Sequence, residues 1–116
     1  MIGHGAEKLP EIADSSIDGV FSVNVLDHCR DAGKVIKECV RVIKRKAPIV
    51  ICCDLKSNKN QSDVGHPILL SLDWFLDVFK TLCCKLESIK VLKSRNYNPS
   101  TGKDNLDGCM IGVWKK

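Results

Sequence analysis

Apolar positions crowd together between Ile17 and His28, a Val-rich run broken only by one Ser and one Asn before it ends in polar residues. Near-continuous apolar runs of this kind mark strands buried on both faces, as in parallel sheets covered by helices. The pattern predicts a strand over Ile17–Leu26. From Asp31 to Arg45 the period changes. Val35, Ile36, Cys39, Val40 and Ile43 recur at helical spacing, while Lys34, Lys37, Arg41, Lys44 and Arg45 fall largely on the opposite side. Asp31 can cap this helix, and Lys44-Arg45-Lys46 falls in its last turn, where the helix dipole favours cations. A second apolar run, Pro48 to Asp54 with Ile49–Cys53 at its centre, completes a strand–helix–strand unit of about 35 residues. Such βαβ units have right-handed crossovers, so the two strands are expected to be adjacent and parallel.

The remaining pattern extends this unit. Ser57 to Gly65 is polar and rich in Asn, Lys and Ser, closed by His66-Pro67. A loop of this length at a strand's carboxyl end is a natural lid. Ser71 to about Cys83 reads as a second helix, capped by Ser71, with Leu72, Phe75, Leu76, Phe79 and Leu82 in one apolar stripe that reads as core. Trp74 falls off the stripe, towards the preceding loop. Leu86 to Ser94 and Gly108 to Trp114 read as strands joined by the turn-rich segment Asn96 to Asp107. They are expected to pair antiparallel at one sheet edge. The fold class is α/β, a single domain over residues 1–116. Residues 1–16 are loop-like, so no strand precedes the Ile17 run. One sheet edge, or one face, is left open unless something else covers it.

Composition narrows the function classes. Hydrophobic residues make up 44% of the 116, enough for a packed core. The net charge of +4 comes without a basic stripe interleaved with aromatics, which argues against nucleic acid. No apolar run can span a bilayer and no signal peptide stands at the start, so no membrane role is expected. Seven cysteines, several in apolar runs, fit reduced thiols in the cytoplasm. The neighbours Cys52 and Cys53 point to opposite sides of a strand, and His4, His28 and His66 lack ligand spacing, so no metal is expected.

Ligands of open α/β sheets sit beyond the strands' carboxyl ends. That edge gathers Asn24, Asp27, His28 and Asp54. His28 could act as a general base or touch a substrate, or simply close the strand-to-helix turn. Asp54 could face substrate or be a solvated loop carboxylate. His66 could gate the site or pack on Trp74.

Gly5-Ala6-Glu7-Lys8-Leu9-Pro10, Ser16-Ile17-Asp18-Gly19-Val20, Val25-Leu26-Asp27-His28 and Arg41-Val42-Ile43-Lys44 occur in that order. The ordered set resembles class I S-adenosylmethionine-dependent methyltransferases of the small-molecule, type 11 kind. The resemblance reaches across nearly the whole chain and implies a partial Rossmann-like sheet ending in an antiparallel pair, with Gly108–Trp114 next to the Ile49 strand. It implies that Ala6, by its backbone amide, lies near the adenine, and that Ser22, Val23 and Asn24 line the methionine part. The departures are as telling. No Gly-rich cofactor loop follows a strand, no acidic residue for the ribose hydroxyls is recognisable, Gly5 stands where the family has Asp, and Lys46-Ala47 replaces Gly-Gly.

Two functions follow from the resemblance. The chain is the carboxyl-terminal half of a methyltransferase acting on a small-molecule substrate, lacking the Gly-rich half and binding S-adenosylmethionine weakly or not at all alone. Alternatively, it is a non-catalytic module whose open sheet edge is covered by a partner chain or by another copy.

Overall fold

The computed structural model describes residues 6–56, 70–92, 97–98, 103–104 and 108–116. Strand β1 spans Val20–Val23, helix α1 Ala32–Val42, β2 Pro48–Leu55, α2 Leu72–Thr81 and β3 Lys85–Leu92; two-residue strands β4 (Tyr97–Asn98) and β5 (Lys103–Asp104) pair with each other, and β6 spans Gly108–Lys115. The main sheet runs β1-β2-β6-β3. Strands β1 and β2 are parallel, with Val20 beside Ile49 and Val23 beside Cys52. Strand β6 is antiparallel to both β2 and β3, with a register shift between Leu86 and Ser88. The α/β class and the βαβ unit are as the pattern predicts, and the last strand lies beside the Ile49 strand as the resemblance implies. The small β4–β5 hairpin within the turn-rich segment is not.

Both helices cover one face of the sheet. Along β2 the buried residues are Ile49, Ile51, Cys53 and Leu55, and along β6 Met110 and Trp114, each strand alternating with half-buried or exposed positions. These meet Val35, Ile36 and Val40 of α1 and Phe75 and Phe79 of α2 in one cluster. Its centre is aromatic: Trp114 stacks on Phe79 with ring centroids 4.1 Å apart and planes 11° apart, and more loosely on Phe75 at 6.5 Å. Trp74 meets Phe75 edge-on at 5.0 Å and lies close to Gly33 of α1. Gly112 makes the stack possible, since a Cβ there would lie 2.4 Å from the Trp114 ring.

Strand β1 departs from its expected form. It is four residues long, and Leu26 falls in a 3-10 turn over Leu26–His28. Ile17 makes only an isolated parallel bridge to Ile43. Nor is β1 buried on both faces. Val20 and Ser22 are half-buried, but Phe21 is 74% and Val23 62% exposed.

Helix α1 also ends early. Asp31 caps it as expected, accepting from the Lys34 N–H at 3.1 Å, but Ile43 is already extended. The carbonyls of a last helical turn lack partners within the helix. Here the N–H of Ser15 donates to the Arg41 carbonyl, and those of Ser16 and Ile17 both donate to the Val42 carbonyl, at 2.8–2.9 Å. The chain then turns away. Lys44-Arg45-Lys46 therefore lies beyond the helix and gains nothing from its dipole; Lys44 instead pairs with Asp18 at 2.8 Å.

Ser71 caps α2 by accepting from the Trp74 N–H. At the other end the Cys84 N–H donates to the Phe79 carbonyl and the Cys83 N–H to that of Lys80, a Schellman motif. Its left-handed residue is Cys83, with φ of 60°, at a position glycine usually fills. Cys83→Gly is expected to stabilise the chain by about 1 kcal/mol. The check is a rise in the urea midpoint with an unchanged slope; no rise would mean that the turn is not strained.

Candidate active-site cleft

The site is built where β1 stops. Asn24 takes a left-handed conformation, φ 52°, which Asn tolerates better than most residues. Its N–H still donates to the Cys52 carbonyl at 2.8 Å, so the chain leaves the sheet only after this residue. Val25 then opens the 3-10 turn. Leu26, 1% exposed, anchors the turn in the core. The N–H groups of His28 and Cys29 donate to the Val25 and Leu26 carbonyls, and Asp31 starts α1. The side chain of His28 is consequently held outward.

A second piece of chain closes the other side. The segment before β1 is stitched to the outer face of α1 by Arg41 and Glu38. The Arg41 guanidinium donates to both Glu38 carboxylate oxygens at 2.8 and 3.0 Å, to Asp14, and to the Leu9 and Ile12 carbonyls at 2.9 Å. Glu38 accepts in turn from the Leu9 N–H at 2.8 Å. This holds the Glu38 carboxyl well below its usual range, at about 2, with the Arg41 hydrogen bond the larger cause and the Leu9 N–H next. Next to it, burial pushes the Cys39 thiol up to about 11, leaving it unreactive. Arg41, grouped by pattern with the solvated cations, is thus a clamp.

Between the two pieces lies an open cleft of about 700 Å³, lined by Ala6, Glu7, Val25, His28, Cys29, Arg30, Asp31 and Lys34. Of the residues singled out by sequence, Ala6 and His28 line it. Ser22, Val23 and Asn24 stand at the end of β1 and do not line it, Val23 pointing to the uncovered face of the sheet. Asp54 lies on β2 opposite Cys109, also on that face, and does not share the cleft with His28. His66 and the loop 57–65 lie outside the described residues. Among the described residues no cluster of three or more His, Cys, Asp or Glu side chains could hold a metal, and no helix is long and apolar enough to cross a membrane.

Chemically, the cleft offers two carboxylates, two cations and an imidazole around an apolar floor at Val25. One Asp31 oxygen is already engaged by the Lys34 N–H. Such a surface can orient a polar ligand. Glu7, next to Ala6, and Arg30 and Lys34, close to His28, were not read as site residues because single charged residues at a turn and on a helix face look solvated in the sequence.

Residues 1–51 match the model of the methyltransferase domain family. No curated protein matches the chain by sequence. Among solved structures, a Galdieria sulphuraria protein assigned as a sarcosine dimethylglycine methyltransferase superposes with a TM-score of 0.81 at 15% identity, over 97% of this chain and 57% of its own. This is a class I methyltransferase fold. A SAM-dependent methyltransferase from Methanosarcina mazei matches at a TM-score of 0.71 and 16% identity, over 97% and 65% of the two chains. The [4+2]-cyclase SpnF matches at 0.75 and 16%, over 97% and 54%. The chain thus spans between half and two thirds of these relatives' length. The cyclase also shows that the methyltransferase fold alone does not fix the reaction.

Proposed function

We propose that the chain is the carboxyl-terminal portion of an S-adenosylmethionine-dependent methyltransferase acting on a small molecule, with only one side of the cofactor site built by the described residues. The observation that carries this reading is the contrast between the two edges of the sheet. The β3 edge presents Lys85, Glu87 and Lys90, the charges that keep an edge strand from pairing further. The β1 edge carries no such guard. On this edge strand Phe21 and Val23 are 74% and 62% exposed on the uncovered face, and Val25 at its end, 50% exposed, lines the cleft. An apolar edge at the mouth of a half-walled cleft is suited to continuation of the sheet by further strands.

The cleft residues fit part of the cofactor. Its volume suits a ligand of that size. Glu7 can accept from hydroxyl or amino groups, and the Ala6 backbone is the element expected beside adenine. In this reading the segment Ser22–Asn24 meets the methionine end. A backbone-amide cradle for the ligand's charged end is not recognisable among the described residues. When bound, the cofactor supplies an electrophilic methyl group on sulfonium sulfur. The chain's own residues would orient it, and His28 is the candidate to take a proton from, or to contact, the methyl acceptor. Asp54, on the uncovered face of the sheet, does not share this cleft and is not placed for the same role.

A second reading rests on the same apolar edge: a non-catalytic module to which a partner chain adds a strand. Titration calorimetry separates the two. The chain alone is expected to bind S-adenosylmethionine several orders of magnitude more weakly than a complete site, because hydrogen bonds to charged groups, each about 1.5–3 kcal/mol, are missing. Adding a chain that bears a Gly-rich amino-terminal half should restore binding and methyl transfer. A low-micromolar dissociation constant for the chain alone would overturn the incomplete-site reading. A stable complex that never binds the cofactor would favour the module.

A further inference from the structure

Strands β2 and β6 set Cys52 opposite Ile111 and Asp54 opposite Cys109. Cys52 and Cys109 are therefore diagonal neighbours on adjacent antiparallel strands. They share the face turned away from the helices, since the residues next to them, Cys53 and Met110, are the ones buried in the core. Both thiols are partly exposed. Burial pushes the Cys109 thiol up, and the neighbouring Cys52 thiol adds to the rise.

Diagonal neighbours in an antiparallel pair have Cα atoms about 7–8 Å apart, beyond the roughly 4.4–6.8 Å that a disulfide spans. Direct oxidation would require the strands to move. One atom inserted between the sulfurs would not, because two metal–thiolate bonds of about 2.3 Å in line span about 4.6 Å. Soft thiolate pairs select soft monovalent ions such as cuprous copper. Asp54, opposite Cys109, brings a carboxylate to the same face, but among the described residues no group of three or more His, Cys, Asp or Glu is placed to hold a metal together. On the neighbouring strand Lys90, opposite Ile111, is a diagonal neighbour of Cys109 and brings a positive charge to the same face.

We propose that Cys52 and Cys109 form a two-thiolate binding site for a soft monovalent metal cation of the cuprous class. Binding breaks two S–H bonds, forms two metal–sulfur bonds and releases two protons to solvent; no electron is transferred. The site is open in the chain alone, so its test does not depend on what continues the sheet beyond β1.

The test is anaerobic titration of the whole chain with cuprous ion against a competing chelator. Wild type is compared with Cys52→Ser, Cys109→Ser, the double variant and the control Cys83→Ser. One equivalent should bind, and either single variant should lose about 100-fold or more in affinity, as loss of chelation predicts. The double variant, with neither thiolate, should show no tight site, and Cys83→Ser should change nothing. X-ray absorption should count two sulfurs on the ion. Retention of the tight site in the double variant, a loss of only about twofold in each single variant, or a count of three sulfurs would each overturn the proposal. Circular dichroism confirms that the serine variants keep the fold.

Discussion

Trp114→Ala should abolish cooperative folding of the chain, or leave it with a urea midpoint lowered by about 2 M. Trp114 is 1% exposed and stacks on Phe79 with planes only 11° apart. Deleting a buried Trp side chain costs about 3–5 kcal/mol, from lost transfer energy and from the cavity left behind. A typical domain holds only about 5–15 kcal/mol in total, and urea slopes of about 1–3 kcal/mol per molar convert the loss into the stated shift. The cavity would not collapse easily, because Trp114 is the point where α2 and the β2–β6 pair meet. Ile111→Ala, three residues earlier but 40% exposed on the other face, should cost under about 1 kcal/mol. Equal effects of the two substitutions would mean that the face assignment of β6 is wrong.

What the sequence made legible was local chemistry with a fixed period. Asp31 and Ser71 cap their helices as read, because a capping side chain bonds an N–H three residues on. The parallel pairing of β1 with β2 follows from a single short crossover. The end of α1 was not legible. Lys44, Arg45 and Lys46 continue a helical period, and only the amides of Ser15, Ser16 and Ile17, from another part of the chain, take the carbonyls that stop it at Val42. Strand β1 misled in a different way. Its alternating Phe21 and Val23 are as apolar as a buried strand requires, yet among the described residues nothing covers them. The cleft was half legible, since His28 and Ala6 were read from the chain but the residues between them were not.

Arg41→Ala should free the segment that carries Ala6 and Glu7, and Glu38→Gln should remove the acid sensitivity of its docking. Five hydrogen bonds leave the Arg41 guanidinium, two to Glu38 and three to Asp14, Ile12 and Leu9. Without them the Leu9 and Ile12 carbonyls lose this donor, and Glu38 loses the larger cause of its lowered pKa. Hydrogen exchange at the Leu9 amide, which donates to Glu38, reads the change directly. In Arg41→Ala it should rise towards the rate of an unstructured amide while amides of β2 and β6 stay protected. The pH dependence has a definite sign. The Glu38 carboxyl titrates near 4.5 when free and at about 2 when clamped, so the folded state favours the ionised form. The contribution is complete above about pH 4.5 and is lost as pH falls through about 2. Wild type should therefore lose Leu9 protection between about pH 4.5 and 2, in a step that Glu38→Gln lacks because its side chain carries no titrating proton. Protection at Leu9 that is equal in Arg41→Ala and wild type would show that the segment is held by something other than this clamp.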